Sequence, residues 1–286
     1  MIAWKLKLWR TVGATAALTL AAACGGEGGE AAKGEGGGEA GEAAISGEAG
    51  EAAAPAAGGE AGEAAIGESG GEHGEAGVSD AYAGVTGDQR TALRIEHLRG
   101  FVMAAEKMVE DGGGPNGVAE AAVLVQQGLL EVYEPATDQF GSLDVAVLRE
   151  AAAGGELSRA QMQQRLRASQ AALDSALNGL DIDGANLVVR LVDIAAGLYQ
   201  NVLVDGYVDP IEYKHSMGAA LSARHALGVQ QQALRDRNLR GYGEAANELN
   251  RFIALWPSAE APETPATYQQ VLVQGSRVRL ALSPFL

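Results

Sequence analysis

Residues 25–78 consist almost entirely of Gly, Glu and Ala, and this composition limits what that part of the chain can fold into. The motif Gly-Glu-Ala-Gly-Glu-Ala-Ala occurs three times, starting at Gly38, Gly47 and Gly59. The segment has no aromatic side chain and almost no large aliphatic one. Because such a segment cannot bury enough apolar surface to offset chain entropy, we expect a disordered tether.

The charge of this segment accounts for most of the acidity of the chain. It contains twelve Glu and one Lys, in a protein whose formal net charge is −16. An acidic chain is unsuited to general nucleic-acid binding, so we expect no nucleic-acid partner. One Cys in 286 residues excludes a disulfide framework and a cysteine-based metal cluster. Because evenly spaced single Glu residues do not converge on an ion, they favour a spacer over a cation-collecting arm. A flexible spacer of this length has a root-mean-square span of roughly 40 Å.

Residues 1–23 are predicted to form a targeting segment. Residues 1–10 carry three basic side chains, and an uncharged, mostly small or apolar run follows from Thr11 to Ala23. This arrangement is typical of a secretory signal peptide. The run is too short for a membrane-spanning helix, which needs about 20 apolar residues. The only cysteine, Cys24, comes directly after it.

The residues Leu20-Ala21-Ala22-Ala23-Cys24 resemble the lipobox of bacterial lipoproteins. The resemblance implies cleavage before Cys24 and acylation of Cys24 by chains such as palmitate. It implies a periplasmic protein held by lipid in the outer or inner membrane, and Gly25 after the cysteine favours the outer one. An ordinary signal peptide followed by a chance cysteine is the alternative. We therefore expect a signal peptide over residues 1–23, a lipidated Cys24 with its tether over 24–78, and a folded domain over 79–286.

The folded domain is predicted to be all-α, a helical bundle of about seven or eight helices. Helix starts are indicated by capping residues, as in the Ser158 and Gln161 capping-box pair, Asn238, and the pairs Asp209-Pro210 and Thr264-Pro265. Gly-rich or Pro-containing segments indicate where the helices end. Strands bounded by hairpin turns would show alternating apolar and polar residues. The domain sequence has no such pattern, so we expect no strand.

The most apolar predicted helix covers about residues 185–204 and has one narrow polar edge. Arg190 and Asp193 lie three apart on that edge, with Asn201 further along it. An exposed edge carrying an Arg–Asp pair is the simpler interpretation. A polar seam formed by Arg190, Asp193 and Asn201, lining a ligand cavity between helices, is the alternative.

Residues 205–215 contain the densest group of side chains able to bind a metal. Asp209, followed by Pro210 and by Glu212 three positions after Asp209, favours a helix start with a capping box. Glu212 and His215 are three apart, so Asp209, Glu212 and His215 are also a candidate metal site. The pattern Asp-Gly-x-Val-x-x-x-Glu-Tyr resembles extracytoplasmic helical regions associated with bacterial iron permeases. That resemblance implies periplasmic iron handling, with iron as the ligand.

Motifs for catalysis are missing from the sequence. It contains neither His-Glu-x-x-His nor Gly-x-Ser-x-Gly, and the predicted domain has no Cys to act as a nucleophile. We therefore expect no enzyme and no cofactor, but a lipid-anchored binding or accessory module with a ligand or an envelope protein as partner. The alternatives are an iron-handling accessory protein and a structural tether between membrane and envelope. His97, beside an apolar helix face, is predicted to be a packing residue.

Overall fold

Ser158, Asp209 and Asn238 each cap a helix, as the sequence predicts. The computed structural model describes residues 74–112 and 114–286. That part of the chain is all-α except for one short hairpin, so the predicted fold class is confirmed. The ten α-helices are α1 (Gly74–Tyr82), α2 (Gly87–Glu110), α3 (Gly117–Gly128), α4 (Val145–Ala152), α5 (Arg159–Leu177), α6 (Gly184–Tyr199), α7 (Pro210–Val229), α8 (Gln231–Arg237), α9 (Leu239–Ile253) and α10 (Tyr268–Leu282). Shorter helical turns lie at Gly114–Asn116, Leu129–Tyr133, Glu134–Gln139 and Ser283–Phe285.

Side-chain caps explain several of these boundaries. The backbone N–H of Ser158 donates to Gln161 Oε1 at 3.0 Å and that of Gln161 to Ser158 Oγ at 3.4 Å, which completes the predicted capping box of α5. Asn238 caps α9 by accepting from the Gly241 N–H at 2.9 Å. The last helix is capped by Thr267 rather than at the predicted Thr264-Pro265.

Two helices were not predicted from the sequence, and three predicted segments lie outside the residues that the structure describes. The unexpected helices are α1, which includes residues 74–78 of the predicted tether, and the short α8. The predicted signal peptide, Cys24 and the tether up to residue 73 lie outside the described residues. None of the helices in the described ranges is long and apolar enough to cross a membrane.

The prediction that the domain contains no strand was wrong at residues 203–208. β1 (Leu203–Val204) and β2 (Tyr207–Val208) pair antiparallel, with Leu203 opposite Val208 and Val204 opposite Tyr207. Asp205 and Gly206 connect them with positive φ angles of 52° and 78°. An Asp-Gly pair is favoured in such a two-residue turn, whose twist matches that of the strands. The predicted helix consequently ends at Tyr199 instead of residue 204.

The core lies between three long helices. α2 packs against α3, α5 and α7, while α6 packs against α1, α7 and α10. α6 is mostly buried, as its apolar sequence predicts, with Val188, Leu191 and Ile194 fully enclosed. In α10, Val271, Val278 and Leu282 form a buried seam at spacings of seven and four residues. This arrangement places α2 and α7 side by side at the centre of the domain.

Candidate functional site

The three predicted metal ligands are not brought together. Asp209 Oδ1 accepts from the backbone N–H groups of Ile211 at 2.8 Å and Glu212 at 3.2 Å, so Asp209 is the N-cap of α7. His215 is buried, with Nε2 at 3.2 Å from Gln127 Oε1. The described residues contain no group of three or more His, Cys, Asp or Glu side chains placed to hold a metal ion.

His215 also belongs to a cluster of mutually tilted aromatic rings in the interior. Its ring lies 4.7 Å from that of Phe101, which is 5.9 Å from the ring of His97. Tyr82 Oη is 3.0 Å from His97 Nδ1. Burial, with a smaller effect of Lys214, lowers the pKa of His215 to about 4. The predicted packing role of His97 agrees with these contacts, and His215 has the same role.

The predicted polar seam is divided between two helix contacts. Arg190 Nη1 lies 3.3 Å from the carbonyl oxygen of Ala81 at the end of α1. Asp193 forms an ion pair with Arg279 of α10 rather than with Arg190. Burial raises the pKa of Asp193, and the Arg279 guanidinium opposes that effect. Asn201 lies beyond the end of α6. Arg190 and Asp193 therefore connect α6 to its neighbours.

A different polar group lies where α2, α5 and α7 meet. It comprises Glu96, Arg99, Asp174, Ser222 and His225, and we call it the Arg99 cluster. The two members from α2 are three residues apart, as are the two from α7, so each pair lies on one helix face. Because α2 packs directly on α7, the two pairs face each other across the crossing.

Arg99 is the centre of the cluster and is only 1% exposed. Its Nε donates to Glu96 Oε1 at 2.9 Å, and its Nη1 donates to Gln170 Oε1 at 2.7 Å. Its Nη2 lies 2.8 Å from Asp174 Oδ1, within ion-pair distance. A buried guanidinium is tolerated only when it is paired in this way, because the loss of hydration is costly.

Glu96 is the buried anion that balances Arg99. Ser222 Oγ donates to Glu96 Oε2 at 2.6 Å, and His225 Nδ1 lies 3.3 Å from the same oxygen. Burial raises the pKa of Glu96, but the contacts with His225, Arg99 and Ser222 outweigh it and lower the pKa overall. Glu96 is therefore ionised at neutral pH.

His225 and Asp174 form the solvent side of the cluster. The side chain of His225 is 26% exposed and that of Asp174 59% exposed. His225 Nε2 lies 3.7 Å from Asp174 Oδ1, the oxygen that Arg99 Nη2 also approaches. Two nitrogen atoms from different helices thus converge on one carboxylate oxygen supplied by a third helix.

Serine, histidine and carboxylates in one cluster invite comparison with a catalytic triad. In a triad the serine hydroxyl is hydrogen-bonded to the histidine that removes its proton. The Ser222 hydroxyl instead lies 2.6 Å from the Glu96 carboxylate and 2.7 Å from the Glu96 carbonyl oxygen. Ser222 is also fully buried. This hydrogen bonding does not activate a nucleophile.

The Arg99 cluster was not predicted from the sequence. Glu96 and Arg99 have the spacing of an ordinary surface ion pair, and nothing local marks them as buried. Their partners in α7 are more than 120 residues away in the chain.

Comparisons of the chain with protein-family models, curated proteins and solved structures found no match.

Proposed function

We propose that this protein is a lipid-anchored extracytoplasmic module that binds a ligand or partner without catalysing a reaction. The observation that carries the anchor is the position of the only cysteine, directly after three small residues at the end of an apolar run. Acyl chains on Cys24 would hold the protein in the membrane, since each buried methylene contributes about 0.8 kcal/mol. The tether would then keep the domain away from the lipid surface.

The Arg99 cluster supports binding rather than catalysis. Its one hydroxyl donates to Glu96. On its solvent side, the exposed Asp174 carboxylate lies close to His225 and to the buried Arg99. Iron handling has less support, because Asp209 is used as a helix cap and His215 is bonded to Gln127. We therefore favour a non-catalytic module over an iron-handling protein.

Fractionation of bacteria that express the full chain tests the anchor. The wild-type protein should sediment with membranes and carry an acylated amino terminus by mass spectrometry. Cys24→Ser should move it to the soluble extracytoplasmic fraction. The double variant Cys24→Ser/Ser46→Cys is the matched control, because it keeps one cysteine at a site without a lipobox, and it should also be soluble. A Cys24→Ser protein that stays tightly membrane-bound would show that the anchor proposal is wrong.

A further inference from the structure

Arg99 has one nitrogen whose hydrogen-bonding capacity is not used within the described residues. Its Nε and Nη1 donate to side chains, but no N–H of Nη2 is aligned on an acceptor in residues 74–112 or 114–286. Asp174 Oδ1 lies 2.8 Å from this nitrogen, so the two charges attract without completing a hydrogen bond.

The partner at this position is the most exposed member of the cluster. Asp174 is 59% exposed on α5, while Arg99 is 1% exposed on α2. A carboxylate that is largely in water can rotate away and keep its hydration. Such a movement would leave Arg99 Nη2 and His225 Nε2 facing one vacated position at the surface.

We propose that Arg99 and His225 form a binding site for the carboxylate group of an external ligand, and that the Asp174 side chain occupies this site in the free protein. The proposal deepens the binding role given above and rests on it. A carboxylate oxygen accepts charge-assisted hydrogen bonds from guanidinium N–H groups, and one such oxygen, Asp174 Oδ1, lies 2.8 Å from Arg99 Nη2 and 3.7 Å from His225 Nε2. The ligand class is therefore a molecule with an accessible carboxylate.

The charges around the site favour a carboxylate over a more highly charged anion. Glu96 neutralises Arg99, and Glu106 lies behind the site, hydrogen-bonded to Gln170 at 2.9 Å. Burial raises the pKa of Glu106, with Gln170 acting in the opposite direction. Replacing the Asp174 carboxylate by another carboxylate leaves the local charge unchanged. A phosphate dianion would instead add negative charge beside the buried Glu96 and the half-buried Glu106.

The test measures thermal unfolding of the purified full chain carrying Cys24→Ser, in sodium acetate against sodium chloride of equal ionic strength. Preferential binding to the folded state raises the unfolding midpoint with ligand concentration. Acetate should stabilise the protein saturably, and Asp174→Ala should bind acetate about tenfold more tightly, because the competing carboxylate is removed. Asp174→Asn is a second variant that keeps the size of the side chain. Asp138→Ala, at another exposed aspartate, is the matched control and should bind acetate like the parent protein.

A second readout separates binding at this site from a general salt effect. The His225 ring resonances should move with acetate in Asp174→Ala and stay constant with chloride, and Asp174→Ala/His225→Gln should lose most of the added affinity. If acetate stabilises Asp174→Ala no more than chloride does, the proposal is wrong. If only the Asp174 variants bind acetate, Asp174 closes the site permanently and the ligand-binding role is wrong. Neither result depends on the lipid anchor, which fractionation tests separately.

Discussion

Gly100 of α2 and Gly218 of α7 pack backbone against backbone at the centre of the domain. A Cβ atom on Gly218 would lie 2.7 Å from the carbonyl carbon of Gly100, and one on Gly100 would lie 2.9 Å from that of Gly218. Distances this short are not compatible with any side chain. The close approach is what brings Glu96 of α2 within reach of Ser222 and His225 of α7.

Gly218→Ala should therefore destabilise the domain. Since backbone atoms cannot move aside as a side chain would, the helices must separate, which costs about 1 to 3 kcal/mol or more. Urea unfolding followed by circular dichroism measures the free energy of unfolding. Gly243→Ala in α9 is the control, because its Cβ meets nothing within 4 Å, and it should stabilise the protein by up to about 1 kcal/mol. Equal effects of the two substitutions would contradict the close-contact explanation.

Acidification should destabilise the protein because of His97 and His215. Burial, with smaller effects of Arg94 and His215, lowers the pKa of His97 from 6.5 to about 3, and burial and Lys214 lower that of His215 from 6.5 to about 4. The folded state keeps both rings neutral, whereas the unfolded chain takes up protons below pH 6.5. The stability that the two neutral rings contribute is therefore fully present above pH 6.5 and is lost as the pH falls toward 4. Each histidine contributes about 1.4 kcal/mol per pH unit within this window.

The free energy of unfolding, measured by urea titration, should fall by about 2 kcal/mol between pH 6 and pH 5. His215→Gln should remove about half of this slope, whatever its effect on overall stability. Val188→Ala is a control that destabilises the core without removing a titrating group, so its slope should match that of the wild type. An unchanged slope in His215→Gln would mean that the buried histidine is not the cause.

Features determined by local chemistry could be predicted from the sequence. The Ser158 capping box, the Asn238 cap and the buried seam of α10 each depend on residues within a few turns of one another. The hairpin was missed because an apolar run was assigned to the preceding helix, although Asp205-Gly206 is a recognisable turn pair. The Arg99 cluster depends on how α2 crosses α7, and neither helix alone contains that information.

Asp209 provides a test between helix capping and metal binding. Its carboxylate accepts two backbone hydrogen bonds at the start of α7. Asp209→Ala should cost about 1 kcal/mol of stability, whereas Asp209→Asn should cost only a few tenths, because asparagine caps equally well. Unfolding measurements give both values, and an iron titration of the wild type is the companion experiment. Stoichiometric iron binding that both substitutions abolish would favour the metal site instead.

Arg190 should hold α1 on the domain. Its Nη1 lies 3.4 Å and 3.3 Å from the carbonyl oxygens of Asp80 and Ala81, where a cation is favourable because a helix ends with unpaired carbonyl groups. A helix of nine residues is not stable by itself, so α1 depends on such contacts. Arg190→Ala should speed amide hydrogen exchange in α1 severalfold and lower global stability by less than about 1 kcal/mol. Arg251→Ala in α9, which removes an exposed i,i+3 ion pair with Glu248, should leave exchange in α1 unchanged. If exchange in α1 is the same in both variants, the packing of α1 on α6 suffices without Arg190.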